Sequence, residues 1–306
     1  MSGHAAGGRT ASPPLPPTHL LLGVLVTFIW GTNFVVIHVG LEHAPPIFLA
    51  TMRFVLSALP AMLFVRRPAV PLPHLAAAGF FLGMQFAFLF PGMLAGVSPG
   101  LASLVVQMQV FLTIGIAAVA LRQPVRRAQV VALAIACCGL ALIALKGGSS
   151  ATPSGLALIL AAASSWALSN YLAAKAGAVN MVAFVVWASP FAVPPLLIAS
   201  LTIEGPRSFV SALGSGDPVT WAVIAWQAYA NTVLGYGAWN WLLSRHPAAQ
   251  VAPLALMVPI FGMVSSAAIL GEGLEPWKLG AVALVLTGLA INQVAARKGF
   301  PPKLQD

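Results

Sequence analysis

The side chains of this sequence that could do chemistry are amides, indoles and phenols set into long apolar runs, and the chemistry open to them is recognition by hydrogen bonding and stacking. Trp30, Phe34 and His38 follow at four-residue intervals with Asn33 beside them, so on a helix they share one face. Gln85 stands alone in its run. Ser103 and Gln107 share a face with Gln109 nearly opposite, and Trp166 and Asn170 lie four apart. The richest stretch holds Trp226, Gln227, Tyr229, Asn231, Tyr236, Trp239, Asn240 and Trp241 within sixteen residues. A regular helix there groups Gln227 with Asn231 and sets Tyr229, Tyr236 and Asn240 on another face. Polar side chains at membrane depth are costly and tend to face a bundle interior or a wet cavity. Cavity lining is therefore expected for Trp30, Asn33, His38, Gln85, Gln107, Gln109, Trp166, Asn170, Gln227, Tyr229, Asn231, Tyr236 and Trp239. The plainer use of amides is as interhelical glue, worth about 0.6–2 kcal/mol each. Trp221, Trp241 and Trp277, near run ends, fit the interfacial belt.

Arg53 is the one charge well inside an apolar run. Unpaired, it would cost about 2.5–3.5 kcal/mol at a helix centre. Carbonyls at a broken helix, Glu42 or a substrate carboxylate could each satisfy it, and snorkelling to the interface is the remaining alternative. No Asp or Glu falls in the middle of any run, which removes the usual intramembrane carrier of Na⁺ or H⁺ coupling. His38 is the remaining mid-run titratable group, suited to a proton-linked step or to a packed neutral role. Nothing clusters as a catalytic set or a metal site, and no cofactor is expected. An intramembrane enzyme acting on lipid would need such a cluster at the membrane surface.

The elements that must hold these groups follow from composition. Of 306 residues, 59% are apolar and only 7% charged. A soluble domain carries roughly 25% charged residues, so a water-soluble enzyme is excluded. Apolar runs are read at about 18–40, 46–65, 72–94, 99–121, 128–145, 154–174, 179–202, 218–243, 248–270 and 277–296, which predicts ten spans. Residues 1–17, rich in Gly, Pro and Ser, are expected to be a disordered tail without the apolar core of a cleavable signal. Residues 297–306 form a second tail. Cys137 and Cys138 adjoin inside one run and are expected as small packing residues.

The net charge of +9 would suggest nucleic acid in a soluble protein, but here it reads as topology. Arg9, Arg66, Arg67, Arg122, Arg126, Arg127, Lys175, Arg245, Arg297, Lys298 and Lys303 fall on the side of the termini. Only Lys146, Arg207 and Lys278 fall on the other, with five of the six acids. Eleven against three predicts a multi-pass membrane protein with both termini in the cytoplasm and with the bilayer, not nucleic acid, as its partner.

The chain also repeats itself. Residues 111–145 can be laid on 261–293, matching Phe111 with Phe261 and Gly139-Leu140 with Gly288-Leu289, although apolar helices align readily with one another. Two five-span halves, 18–147 and 153–296, would have inverted topology because five is odd. Inverted repeats are a common construction of secondary transporters, with substrate near the midplane.

Residues 30–54 (WGTNFVVIHVGLEHAPPIFLATMRF) and 252–291 then carry a resemblance. Their Trp-Gly-x-Asn, Arg-Phe, and Pro-x-x-Gly followed by Leu-Gly-Glu resemble the EamA-type family of the drug/metabolite transporter superfamily, nearest its bacterial inner-membrane exporters of amino acids and related metabolites, which implies an inner-membrane location. One departure is that Gln109 and Leu121-Arg122 stand where the second half has Pro259 and Gly271-Glu272. The resemblance implies an all-α integral membrane protein of ten transmembrane helices, arranged as two inverted five-helix repeats around a central cavity and working by alternating access. Gly83, Pro91, Gly92, Pro99, Gly100, Gly235, Gly237, Pro253, Pro259 and Gly262 mark spans three, four, eight and nine as hinges, or as places of close packing. The expected function is broad export of neutral or zwitterionic amino acids and related metabolites by a monomer. A passive metabolite channel and an exporter of unrelated small drugs are the alternatives.

Overall fold

The computed structural model describes residues 15–297 except Leu121, Gln123, Ala178 and Pro247, so the expected tails lie almost wholly outside the described residues. The described chain is helical, with one isolated bridge between Val97 and Ala151. Nine of its helices are long and apolar enough to cross a membrane. They are α1 (Pro17–His43), α2 (Pro46–Phe64), α3 (Leu72–Leu94), α4 (Pro99–Ala120), α5 (Arg127–Lys146), α6 (Pro153–Lys175) and α7 (Met181–Glu204), then, after the segment we number α8, α9 (Ala252–Leu270) and α10 (Pro276–Arg297). The predicted eighth span, 218–243, corresponds to α8, residues 218–245. It is not one regular helix but three consecutive pieces, with a π-helix, Trp226–Leu234, between the α-helices Pro218–Ala225 and Gly235–Arg245. Other departures are smaller. The α-helix of α2 ends at Ala58, and only a short piece, Ala61–Phe64, continues it. A 3₁₀ turn, Val106–Met108, interrupts α4, and another, Ala252–Leu256, opens α9.

Proline starts these helices without loss, because the N–H it lacks would have no partner in the first turn anyway. Pro17, Pro46, Pro99, Pro153 and Pro218 all sit there. Where a cap is needed the local sequence supplies it: Thr152 accepts from the Gly155 amide, Asn180 from Val182 and Ala183, and Asp217 from Val219 and Thr220.

Glycine sets how closely the helices pack. Gly79 and Gly83 of α3 lie against Ala188 and Ala192 of α7, and Gly92 of α3 lies against Gly155 and Ile159 of α6. Gly31 of α1 fits against Phe261 and Val258 of α9, and Gly262 of α9 against Ser103 of α4. The outermost pair is reciprocal: Gly139 of α5 meets Ala281 and Val285 of α10, while Gly288 of α10 meets Ala132 and Ala136 of α5. That stripe is the buried side of α5. Cys137 and Cys138 fall off it and are exposed, which corrects the packing role expected for them.

Contacts define two ends of the bundle. At the end bearing the termini, His19 touches His246, His74 bonds the Leu172 carbonyl, and Arg126 bonds that of Ala295. At the opposite end, His43 pairs with Asp217 at 3.1 Å and Ser98 N–H donates to the Ser150 carbonyl.

Candidate functional site

The opposite end is closed by two carboxylates set over helix N-termini, where the helix dipole and free N–H groups favour negative charge. Glu204, ending α7, accepts from the Ile47 and Phe48 amides of α2 at 2.6 and 3.0 Å and from the Ser200 hydroxyl. Glu272, between α9 and α10, accepts from the Gly100 amide of α4 at 3.2 Å and from the Ser98 and Ser266 hydroxyls. Lys278 joins it at 3.1 Å, is only 2% exposed, and also pairs with Glu275 at 2.9 Å. Burial alone would push the Glu272 carboxyl up. The bonds from Ser266, Ser98 and Lys278 outweigh it and hold the group below the usual carboxylate range. The bond from Lys278 likewise lowers Glu275. In the sequence Lys278 counted only as one of three basic residues on the acid-rich side, which was the available signal.

Between the ends lies a cavity of about 520 Å³. Its lining runs from Gly177, Met181 and Leu243 near the terminal end inward to Arg53, Gln85 and Leu89, and includes no residue of the opposite-end connections. Arg53 stands seven residues into α2, about 10 Å below its first residue at 1.5 Å rise per residue. The cavity therefore stops inside the bundle.

Ten of the thirteen residues expected at a cavity line this one. Trp30, Asn33, Gln85, Gln107 and Gln109 come from α1, α3 and α4, and Trp166, Asn170, Asn231, Tyr236 and Trp239 from α6 and α8. Trp30 is held by its indole N–H, which donates to the Asn231 carbonyl at 3.0 Å, and by Tyr236 and Trp239, whose ring centroids lie 5.6 and 5.2 Å away. Asn170 donates to Gln109 across α6 and α4 at 2.8 Å. Asn240 and Gln293 also line the cavity; Gln293, donating to the Ala252 carbonyl, was missed although it is a polar residue inside the last apolar run.

Three expected residues lie elsewhere. His38 is set 3.6 Å from Glu42, one turn along α1, and does not line the cavity. Tyr229 is 41% exposed on the outer surface. Gln227 is fully buried behind Arg53. The π-helix explains the last two. Its i→i+5 spacing breaks the 3.6-residue register used to group these positions, and the Thr232 hydroxyl bonds back five residues to the Gln227 carbonyl. Asn231 and Tyr236, five apart, consequently face the cavity together, while Tyr229 turns away from Tyr236.

Arg53, 3% exposed, has neither Glu42 nor a helix carbonyl as its partner. Nη1 donates to Gln227 Oε1 and Nη2 to Thr232 Oγ1, both at 3.1 Å, and the guanidinium lies 3.9 Å from the Phe86 ring centroid. Of the positions expected as hinges, Gly83, Gly92 and Gly262 are the close helix contacts described above. Gly100 lies under Glu272, Gly235 under Trp30, and Gly237 more loosely against Val182. Pro91 lies inside α3, Pro99 opens α4, Pro253 lies in the 3₁₀ turn of α9, and Pro259 follows within its α-helix.

Comparison with known proteins is consistent along the chain. The profile of the EamA-like transporter family matches residues 18–145 and, separately, 153–293. A "Probable amino-acid metabolite efflux pump" of Salmonella typhimurium (strain LT2) is 40% identical over 278 residues, covering 89% of this chain and 93% of that protein. Its namesake in Escherichia coli (strain K12) is 37% identical over 284 residues, covering 90% and 95%. A "Probable terminal-alkyne amino-acid exporter" of Streptantibioticus cattleyicolor is 25% identical over 278 residues, covering 88% and 91%. A solved crystal structure with TM-score 0.59, covering 93% of this chain and 99% of its own, is 16% identical and bears on the fold alone.

Proposed function

The chain belongs to the EamA-like transporter family, and from that premise we propose that it exports amino acids and related small metabolites across the cytoplasmic membrane, with broad specificity and by alternating access. The observation that carries this reading is the cavity, lined from the terminal end, stopped near Arg53 and backed by the Glu204 and Glu272 closures. Its indoles, phenol and amides suit small solutes with varied side chains. No Asp or Glu is among its lining residues, so export down a gradient is the proposed mode.

Residues 218–245, the eighth in chain order, bring the number of spans to ten, with Gln227, Asn231 and Thr232 of the π segment buried against α1 and α2. Residues 18–147 and 153–296 are the two inverted halves. In support, the family profile matches twice and the Gly139 and Gly288 contacts exchange under one shift along the chain. Arg66, Arg67, Arg126 and Arg127 stand at the terminal end, which we place in the cytoplasm. On this reading the structure is the inward-facing state. Each chain holds a whole pathway and acts as a monomer.

The test is uptake of labelled alanine, leucine and phenylalanine into proteoliposomes. Saturable flux of at least one is expected, and its absence for all of a wider neutral panel overturns the reading.

A further inference from the structure

The inner end of the cavity gathers buried polar atoms that have no partner. Among the described residues six buried side-chain polar atoms lack a hydrogen bond: Ser57 Oγ, Trp226 Nε1 and Gln227 Nε2 belong to residues off the cavity, while Arg53 Nε, Asn33 Oδ1 and Gln85 Oε1 belong to residues that line it. Buried polar groups are satisfied in the great majority of cases, so three on the lining of one cavity point to a missing ligand. Their chemistry is complementary in kind: one is a cationic donor, the other two are neutral acceptors.

Arg53 is held but not neutralised. Its two bonds go to an amide oxygen and a hydroxyl, and the Phe86 ring covers one face of the guanidinium, leaving three of its five N–H groups unassigned. The described acids are all engaged elsewhere. Glu42 lies beside His38, Asp217 beside His43, Glu204 over α2, and Glu272 and Glu275 on Lys278. A tie between α2 and α8 alone could be made by neutral side chains, without burying an uncompensated charge.

We propose that this inner end is a head-group subsite for an α-amino acid, with the carboxylate on Arg53 and the ammonium on the amide oxygens of Asn33 and Gln85. The assignment rests on the exporter reading above and deepens it. A carboxylate neutralises the cation through charge-assisted bonds, and an ammonium supplies donors to the two orphaned acceptors. The aromatic walls formed by Trp30, Trp166, Tyr236 and Trp239 take the side chain. Selection therefore acts on the head group and is loose beyond it. Amines without a carboxylate are repelled by Arg53.

The experiment is competition in proteoliposomes holding the full chain. For whichever amino acid of the alanine, leucine and phenylalanine panel shows flux, its labelled form is competed by the unlabelled acid, by its carboxamide and by its deaminated carboxylate. The acid should compete about tenfold or more better than either analogue, the range of one lost charge-assisted bond. A carboxamide as effective as the acid overturns the carboxylate half, and a deaminated acid as effective overturns the ammonium half. No flux for any amino acid overturns the exporter reading itself, a different result. Arg53→Met should abolish the preference of acid over amide while Arg53→Lys retains it with a raised KM. A purely structural Arg53 would lower the melting temperature of both variants and leave that preference unchanged. The wild-type competition decides even if neither variant folds.

Discussion

Trp30 reaches from α1 into α8 through a single 3.0 Å bond to the Asn231 carbonyl, and the space for its ring exists because residue 235 is glycine. A Cβ at that position would stand 2.5 Å from the indole nitrogen. Trp30→Phe should lower stability by about 1 kcal/mol, the net worth of a typical hydrogen bond. Gly235→Ala should cost more in the wild type than in the Trp30→Phe background, because the smaller ring leaves room; thermal melts of the four proteins in detergent measure that coupling. Thr232→Val removes an acceptor from the Arg53 cation and should cost about 1.5–3 kcal/mol by the same melts. The aromatic and amide lining was largely readable as residue types, since an Asn, Gln or Trp deep in an apolar run has few places to go. Which way each one turned was less so. His38 shares a helical face of α1 with Trp30, yet it lies eight residues, about two turns, nearer the opposite end and does not line the cavity.

At the scale of elements, the helix ends were legible because Pro, Gly and charge interrupt each apolar run. The ladder inside α8 was not, since nothing in a 3.6-residue pattern announces a π-helix and residue grouping fails across it. The carboxylate closures escaped for another reason: Glu204 and Glu272 cap helices far away in sequence. The Glu272 closure has a defined pH dependence. Its carboxyl is held below the ordinary carboxylate value, so its contribution is complete above that value and fades as pH falls through the lowered folded one. Protection of the amides of residues 100–105, taken relative to the intrinsic exchange rate at each pH, should accordingly hold from neutral pH to about pH 5 and fall at lower pH. Glu272→Gln should exchange faster already at neutral pH. Unchanged exchange in that variant would show that the carboxylate does not hold α4.

For the whole molecule, composition alone excluded a water-soluble fold, while the proposed pairing of the halves rests on contacts that sequence matching only hinted at. The α5 and α10 pair makes the pairing testable. Gly139 and Gly288 occupy reciprocal positions against each other's helices, so Gly139→Leu and Gly288→Leu should lower the melting temperature by similar amounts. A large effect at only one would break the equivalence. Above this stands the claim that one cavity is opened alternately to the two sides, with the opposite-end closures giving way as the terminal end closes. Counterflow tests it most directly. In proteoliposomes preloaded with an unlabelled amino acid that the protein carries, entry of the labelled form should saturate and run several-fold faster than into empty vesicles. Entry that rises linearly with concentration and ignores the preload would contradict alternating access and describe a channel.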